Sequence, residues 1–321
     1  MTGFSDIGAV VIGRNEGARL KNCLQALQGR VGHMIYVDSG STDDSQEVAR
    51  KAGARVLELD NALPFTAARA RNAGLAFLRA NEPALEFVQF VDGDCEIQPG
   101  WIETAHTFLI TNPVAAVACG RRRERFPDAS VYNGMIDREW DTPIGQTRSC
   151  GGDALMRIAA LKDVDGFNPA LIAGEEPELC VRLRKAGWAI WRLDAEMTLH
   201  DAALTRFGQW WQRARRAGYA YAEGVAMHGR APEHHNVTPL RRTVFWGMVL
   251  PLVTLVGALF TPLALLLLLI WPAQVIRLNL KGESWTTALF FTMGKLPEAL
   301  GALRYWRQRL AGSHKTLIEY K

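Results

Sequence analysis

Two carboxylates stand at the end of a strongly apolar stretch. Residues 87–91 (Phe-Val-Gln-Phe-Val) predict a buried strand, and the run stops at Asp92-Gly93-Asp94. Ligands of open α/β sheets gather at the carboxyl ends of strands, so these acids occupy a place where a ligand would bind. Two aspartates one residue apart suit Mg²⁺ or Mn²⁺ shared with substrate phosphates. An ordinary Asp-Gly turn after a strand is the alternative.

Polar side chains also follow two earlier predicted strands. Asn15 and Glu16 come after the apolar run at 7–12, and Asp38 comes after the run at 34–37. Strand and helix alternate four times up to Asp94, which predicts an α/β fold with a mostly parallel, Rossmann-like sheet covered by helices on both faces. The carboxyl ends of such strands converge on one rim, so we expect these polar residues to meet there.

The predicted rim has the chemistry of a nucleotide-diphosphate pocket. Asp38 can accept hydrogen bonds from a base or a ribose hydroxyl. Arg71, on a helix predicted over residues 66–78, can offset phosphate charge. A solvated helix face is the alternative for Arg71.

Four segments follow the order of a known family: Val10–Glu16, Val37–Asp43, Ala70–Gly74 and Val91–Asp94. Together they resemble the nucleotide-binding half of family 2 inverting glycosyltransferases, which have the GT-A fold, and the likeness covers roughly residues 5–230. At Gly13-Arg14 the family more often has a proline and an aromatic, which leaves the base open between uracil, guanine and thymine. The resemblance implies a metal held by Asp94 with Asp92. It also implies a nucleotide-sugar site formed by Asn15, Glu16, Asp38, Gly40, Arg71, Asp92, Gly151 and Gly152.

The later part of the region that resembles the family contains a glycine-rich stretch and the candidates for the catalytic base. Gly151 and Gly152 lie in a glycine-rich stretch where backbone can approach a sugar closely. Pro177 fits the first position of a helix, which predicts Glu176 as the N-cap residue with an ionised carboxylate. The resemblance implies a catalytic base here, with Glu176 in place of the family's aspartate and Glu175 as second choice. Acids that merely begin a helix are the alternative.

A histidine and a run of arginines complete the candidates. The resemblance implies that His200 is a further metal ligand, whereas a lone histidine is usually structural or exposed. For Arg121-Arg122-Arg123 and Arg125, the sequence favours a solvated charge run over contact with an anionic acceptor or a lipid phosphate.

The cysteines and the distribution of charge indicate where in the cell the protein is expected. The five cysteines form no Cys-x-x-Cys pair, which fits a reducing cytoplasm, and no signal peptide is expected at the N-terminus. The net charge of +4 is mild, and the later part of the chain is basic and rich in aromatics. That pattern fits nucleic acid or an anionic membrane surface, and the adjoining apolar run favours the membrane and argues against nucleic acid.

The apolar run carries no charge from Trp246 to Ile276. Pro262 divides it, so we expect a helical hairpin over residues 244–276 that dips into the bilayer, or two short tilted spans, with a single crossing as the alternative. Flanking basic residues place both ends on the cytoplasmic side. Apolar residues at three- and four-residue steps over 284–310 predict an amphipathic helix on an anionic surface or against the catalytic domain.

These observations predict a GT-A catalytic domain over residues 1–230 and C-terminal membrane-associated helices over 231–321. The expected function is Mg²⁺- or Mn²⁺-dependent inverting transfer of a sugar, most simply from a UDP-sugar, to a lipid-linked or polysaccharide acceptor. The expected location is the inner membrane, with the catalytic domain facing the cytoplasm. A sugar-phosphate nucleotidyltransferase and a non-catalytic glycan-binding or scaffold protein are the alternatives.

Overall fold

The computed structural model describes residues 4–60 and 62–312. It divides into two compact units, which we call the first and the second unit. The first comprises Met1–Pro127 and Ile136–Ala203, and the second comprises Asp128–Met135 and Leu204–Lys321. The division differs from the domains predicted with a boundary at residue 230, because the helix at Phe207–His228 packs with the C-terminal helices.

A single mixed sheet forms the centre of the first unit. Among the described residues its order is β3-β2-β1-β4-β8-β6-β9-β5, and β7 pairs with β9. The strands are β1 (Phe4–Gly13), β2 (Val31–Asp38), β3 (Arg55–Glu58), β4 (Phe87–Asp92), β5 (Cys95–Ile97), β6 (Ala115–Glu124), β7 (Gly145–Gln146), β8 (Ala154–Arg157) and β9 (Ala189–His200).

The predicted α/β class is confirmed, and the sheet is parallel through its first four strands. β1 pairs in parallel with β2 and with β4, and β2 with β3. Beyond β4 the directions mix, because β8 runs antiparallel to both β4 and β6, whereas β6 is parallel to β9. Ala9, Val10 and Val11 are consecutive and fully buried, which requires cover on both faces of the sheet.

Helices connect these strands in the alternation that the sequence predicts. Thr66 caps α3 by accepting a hydrogen bond from the Arg69 backbone N–H, and α3 lies close to the sheet at Gly74, where a Cβ would crowd Val10. The helices of this part of the chain are α1 (Ala18–Leu27), α2 (Ser45–Lys51), α3 (Ala67–Asn81), α4 (Trp101–Thr111), α5 (Val131–Glu139), α6 (Ile158–Asp163) and α7 (Glu175–Lys185), with a 3₁₀ turn at Pro127–Ala129.

Strand register brings the polar strand ends to one rim. Gly13, just before Asn15, pairs with Asp38, and Ile12 pairs with Asp92. On the other side, β9 ends at His200, which pairs with both Cys95 and Glu124. Residues from six different strands therefore reach the same region.

Helices make up the second unit within the described residues. They are α8 (Phe207–His228), α9 (Val237–Val244), a π-helical turn (Phe245–Val249), α10 (Leu250–Ala258), a 3₁₀ segment (Pro262–Leu269), α11 (Ile270–Leu280), α12 (Trp285–Met293) and α13 (Lys295–Ala311).

Small residues allow close packing within the second unit. A Cβ on Gly218 of α8 would overlap the Glu298 carbonyl of α13, and one on Gly301 would overlap the Arg215 carbonyl of α8. Several large apolar side chains of α13 are exposed instead, among them Leu300 and Leu303. The single amphipathic helix predicted over residues 284–310 is in fact two helices, because the chain breaks at Gly294.

Two stretches of the second unit are long and apolar enough, by length and composition, to cross a membrane. They are Val237–Ala258 and Pro262–Leu280, of 22 and 19 residues. The break between them falls at the predicted Pro262, where the Thr261 hydroxyl accepts a hydrogen bond from the Leu263 backbone N–H. Both stretches are longer than the two halves of the charge-free run, because the first stretch begins at Val237 and the second continues to Leu280.

Candidate active site

Asp38 is buried at the end of β2 and held by its own loop. Its Oδ2 atom accepts from the backbone N–H groups of Gly40 and Ser41, at 3.1 and 2.9 Å, and its Oδ1 from the Tyr36 hydroxyl at 3.1 Å. Burial alone would raise the pKa of Asp38, but hydrogen bonds from Ser41, Gln46 and Tyr36 outweigh it and lower the pKa below its ordinary value. Gly40 has φ 83°, a conformation that favours glycine, and it lets the loop turn back over the carboxylate.

Asn15 and Glu16 connect the other two strand ends. The Asn15 backbone N–H donates to Ser41 Oγ at 3.0 Å, and Asn15 Oδ1 accepts from the Thr42 N–H at 2.7 Å. Glu16 pairs with Arg19 at 2.9 Å, and its Cγ lies 3.1 Å from where a Cβ on Gly93 would be. Three strand ends that are separate in sequence therefore meet, as their spacing predicted.

Arg71 is buried and joins the two halves of the site. Its Nη2 lies 2.7 Å from Asp92 Oδ1, and its Nη1 lies 2.8 Å from Glu175 Oε1. Burial would lower the pKa of the guanidinium, but the charges of Asp92 and Glu175 raise it above its ordinary value. The alternative of a solvated helix face is wrong, since only 2% of the residue is exposed.

The glycine-rich loop lies directly over this ion pair. A Cβ on Gly152 would stand 2.6 Å from Arg71 Nη2 and 3.1 Å from Asp92 Oδ2. Gly151 has φ 88°, a conformation that L side chains rarely adopt. The backbone of this loop lies close to Arg71 and Asp92, and its approach to a bound sugar stays a prediction.

The arginine run is mostly not solvated, which corrects the sequence expectation. Arg121 is buried and pairs with Asp137 at 3.0 Å. Arg122 pairs with Asp153 at 2.5 Å and with Asp92 at 3.3 Å, and lies over the Trp140 ring. Only Arg123, paired with Glu196, is exposed among the four arginines of this run. The first three arginines belong to β6, and the register between β6 and β9 shifts between Arg121 and Arg122, so these two neighbours can both reach buried partners.

Two arginines hold Asp92 in its charged form. Burial would raise the pKa of Asp92, but the charges of Arg71 and Arg122 keep it below its ordinary value. Both carboxylate oxygens have an arginine partner. Of the two roles expected for Asp92, this arrangement fits the positioning of the nucleotide-sugar site better than direct ligation of a metal.

Asp94 faces His200 and has the surroundings of a metal ligand. Its Oδ2 lies 3.2 Å from His200 Nε2, and both residues are buried. The carboxylate, the imidazole and the Cys95 thiol lie within 4.8 Å of one another. The Asp94 carboxylate suits Mg²⁺ or Mn²⁺ and imidazole is a common metal ligand, while burial and nearby acids raise the pKa of Cys95 and keep this thiol neutral. Asp94 and His200 therefore fit a hard divalent cation.

Glu124 and Asp153 are parts of the site that sequence reasoning missed. Glu124 Oε2 lies 4.0 Å from His200 Nδ1, and burial raises the pKa of Glu124 above its ordinary value. Asp153 is fully buried and accepts from the Asp92 backbone N–H and from Thr198 Oγ1, both at 3.0 Å. A signal was available for Asp153, which directly follows Gly151-Gly152 in the glycine-rich stretch.

Glu176 is buried at the beginning of α7 and carries three hydrogen bonds on one oxygen. Its Oε1 accepts from the Cys150 N–H at 2.6 Å, from Cys150 Sγ at 3.0 Å and from Cys180 Sγ at 2.9 Å. The prediction that Glu176 is the N-cap residue is wrong. Gly174, with φ 74°, is the N-cap and Pro177 is the third helical residue, because a glycine can start the helix two residues earlier. Glu176 still lies in the first turn, close to the positive end of the helix dipole.

Comparison with known proteins agrees with the predicted fold and with the predicted family resemblance. The family described as glycosyl transferase family 2 matches residues 9–158. The succinoglycan biosynthesis protein ExoA of Rhizobium meliloti (strain 1021) is 27% identical over 231 residues, which cover 69% of this chain and 68% of that protein.

Two solved structures share the fold. A mannosyltransferase from Pyrobaculum calidifontis, in complex with GDP-Man and Mn²⁺, has a TM-score of 0.63 at 16% identity and covers 94% of this chain and 88% of its own. Glucosyl-3-phosphoglycerate synthase from Mycobacterium tuberculosis, in complex with Mn²⁺, UDP and glucosyl-3-phosphoglycerate, has a TM-score of 0.52 at 20% identity and covers 70% of this chain and 80% of its own. With a family 2 match over residues 9–158, a similar polysaccharide biosynthesis protein and a GT-A-like sheet, the chain is a glycosyltransferase that is similar to family 2.

Proposed function

We propose that this protein transfers a sugar from a nucleotide-diphosphate donor to a membrane-linked acceptor, with a divalent cation and with inversion at the anomeric carbon. The observation that carries the proposal is the pairing of Asp94 with His200 on the rim where Arg71 joins Asp92 to Glu175. A divalent-cation site and a buried glutamate at a helix start are the two parts that such a transfer needs.

The donor side is formed by the first four strands. Asp38, with the loop at Gly40, and Asn15 with Glu16 line the end of the parallel strands where a nucleoside binds in doubly wound folds. A UDP-sugar is the donor we favour, since UDP is present in the structure of glucosyl-3-phosphoglycerate synthase. GDP-sugars are the first alternative, because the mannosyltransferase relative holds GDP-Man.

Asp94 and His200 would hold Mg²⁺ or Mn²⁺ against the diphosphate. The bound cation supplies Lewis-acid stabilisation of the departing diphosphate, worth several kcal/mol. Asp92 contributes indirectly, because it keeps Arg71 and Arg122 in place beside the glycine-rich loop. The nearby guanidinium charge would favour binding of the anionic donor.

Glu176 would act as the general base, with Glu175 as second choice. It would take the proton of the acceptor hydroxyl as that oxygen attacks the anomeric carbon, and a single displacement inverts the configuration. Glu175 is the weaker candidate because Arg71 occupies one of its oxygens. The thiols and the backbone N–H on Glu176 Oε1 fix its orientation.

The second unit supports a membrane-linked acceptor and a location at the inner membrane with the catalytic unit in the cytoplasm. The stretch Pro262–Leu280 is not buried anywhere along its most apolar window, and ExoA is described as a succinoglycan biosynthesis protein. Anchoring both enzyme and acceptor in one membrane raises their effective concentration. A lipid-linked glycan or a growing polysaccharide has the required chemistry.

The test is a product assay on the purified full-length chain. Thermal-shift screening with UDP, GDP, dTDP and CMP, each with Mn²⁺, selects the base, and the matching sugar donors are then supplied. We expect release of the nucleoside diphosphate that depends on the cation, and a product of inverted anomeric configuration by NMR. Release of pyrophosphate would identify a nucleotidyltransferase instead. If no donor is turned over, a non-catalytic glycan-binding role would replace the proposal.

A further inference from the structure

Two cysteines from different parts of the chain meet at Glu176. Cys150 lies in the glycine-rich loop and Cys180 lies on α7, one turn after Glu176. Their sulfur atoms are 3.9 Å apart, and both lie within 3.0 Å of Glu176 Oε1. Among the acid, histidine and cysteine clusters of the described residues, this is the one with two sulfur ligands.

The distance between the sulfurs fits a shared metal ion. Tetrahedral Zn²⁺ binds thiolate at about 2.3 Å, which places two sulfur ligands about 3.8 Å apart. A disulfide would need sulfurs at about 2.0 Å, so the observed 3.9 Å matches the metal arrangement more closely. Cys150 is only half-buried, which leaves a route from solvent to the cluster.

The ligand types select a different cation from the one at Asp94. Two sulfurs and one carboxylate suit Zn²⁺ or Co²⁺, whereas Mg²⁺ and Mn²⁺ prefer oxygen ligands such as the Asp94 carboxylate. Burial raises the pKa of Cys150, and burial together with the Glu176 charge raises the pKa of Cys180 to about 11. Without a metal both thiols therefore stay protonated and hydrogen-bond to the carboxylate.

We propose that Cys150, Cys180 and Glu176 form a second, thiophilic metal site that binds Zn²⁺. Binding converts Zn²⁺ and two thiols into a zinc dithiolate and releases two protons to solvent, with no change of oxidation state. Glu176 becomes a ligand in the same step and can no longer accept the proton of an acceptor hydroxyl. This consequence rests on the function proposed above, whereas the metal site itself does not.

Cobalt absorption tests the site without any turnover. The purified full-length chain is titrated with Co²⁺ in the presence of excess Mg²⁺, and a near-ultraviolet thiolate-to-cobalt charge-transfer band is followed. We expect the band in the wild type, its displacement by Zn²⁺, and release of two protons per ion bound. Cys150→Ser and Cys180→Ser should lose it. Cys95→Ser is the matched control, because Cys95 lies beside Asp94 and His200 and should leave the band unchanged.

Protection of Cys150 from alkylation can be measured in the wild-type protein, so this test does not depend on whether the variants fold. Zn²⁺ should slow iodoacetamide labelling of Cys150, measured by peptide mass spectrometry, and Mg²⁺ should not. Absence of the cobalt band together with unchanged labelling overturns the site. A band that persists in Cys150→Ser and Cys180→Ser but disappears in Cys95→Ser also overturns it.

Inhibition by Zn²⁺ tests whether occupation of the second metal site blocks turnover. With Mn²⁺ saturating, Zn²⁺ should suppress nucleoside diphosphate release, and Cys180→Ser should need about 10–100-fold more Zn²⁺ for the same suppression. If the band forms but Zn²⁺ leaves turnover intact, the metal site stands and the assignment of Glu176 as the base fails. The two proposals are therefore tested separately.

Discussion

The two units of the chain differ in the residues at their internal contacts and on their surfaces. In the first unit large apolar side chains fill the sheet and the helices around it, and charged groups gather at the strand ends. In the second unit glycines lie at the helix contacts, while Leu259, Phe260 and Leu310 are more than 80% exposed. An exposed apolar surface of this kind marks a contact with another apolar phase. The difference supports the proposal that the first unit holds a polar substrate and that the second attaches the protein to a membrane.

The largest effect should come from the first unit, at the proposed base. Glu176→Gln keeps the size of the side chain but cannot accept a proton, so we expect kcat to fall by about 10²–10⁴-fold with little change in donor affinity. Glu103→Gln is the matched control, since Glu103 also lies in the first turn of a helix but is exposed. Steady-state release of nucleoside diphosphate provides the measurement. Turnover at the wild-type rate in Glu176→Gln would shift the assignment to Glu175.

The next effect should come from the second unit and leave chemistry intact. Replacing both Leu259 and Phe260 by Glu puts two charges at the tip between the two apolar stretches. Each side chain contributes about 1.5–3 kcal/mol when buried in an apolar phase, so binding to anionic vesicles should weaken by at least about 100-fold. Co-sedimentation measures binding, and turnover of a soluble acceptor serves as the control. Equal binding of variant and wild type would remove the attachment role from this tip.

A smaller effect should follow removal of the expected metal ligand. Asp94→Asn keeps the shape but removes the charge, so the Mn²⁺ concentration for half-maximal activity should rise by at least about 10–100-fold. The exposed Asp128→Asn is the matched control. Mn²⁺ titration with a fixed donor concentration measures the shift. An unchanged Mn²⁺ requirement would place the cation elsewhere on the rim.

The smallest effect is on the pH dependence of thermal stability. The pKa of Asp38 is lowered in the folded chain, so its ionised form contributes stability above its unfolded pKa of about 3.9, and this contribution is lost as pH falls through the lower folded value. Asp38→Asn lacks that contribution. The difference in Tm between wild type and variant should therefore be largest near neutral pH and narrow below about pH 4. A Tm difference that does not change with pH would mean that the charge of Asp38 makes no contribution to stability and that only its hydrogen bonds do.

The parts of the fold that the sequence predicted rest on short-range signals. Apolar runs that stop at polar residues located β1, β2 and β4, and Thr66 marked the beginning of α3. The strand ends carrying Asn15, Asp38 and Asp92 could be assigned to one rim because parallel strands leave few other arrangements.

The missed residues depend on contacts between distant segments. Arg122 and Asp153 are 31 residues apart, and nothing local in an arginine run shows that one member points inward. Glu124 becomes part of the site only because β6 pairs with β9 in a register that puts it opposite His200. The beginning of α7 was misplaced for another reason: Pro177 fits a first helical position, but Gly174 takes a left-handed conformation and starts the helix earlier.

The two contacts of Arg71 determine whether a substitution there changes the KM of the donor and that of the acceptor separately or together. Its guanidinium touches Asp92, at the end where a diphosphate would leave, and also Glu175, the neighbour of the residue expected to deprotonate the nucleophile. Replacing Arg71 would disturb leaving group and attacking group together, and the KM values of both substrates should change in concert. Only substitutions farther out, such as those in the loop around Asp38, would report on one substrate alone.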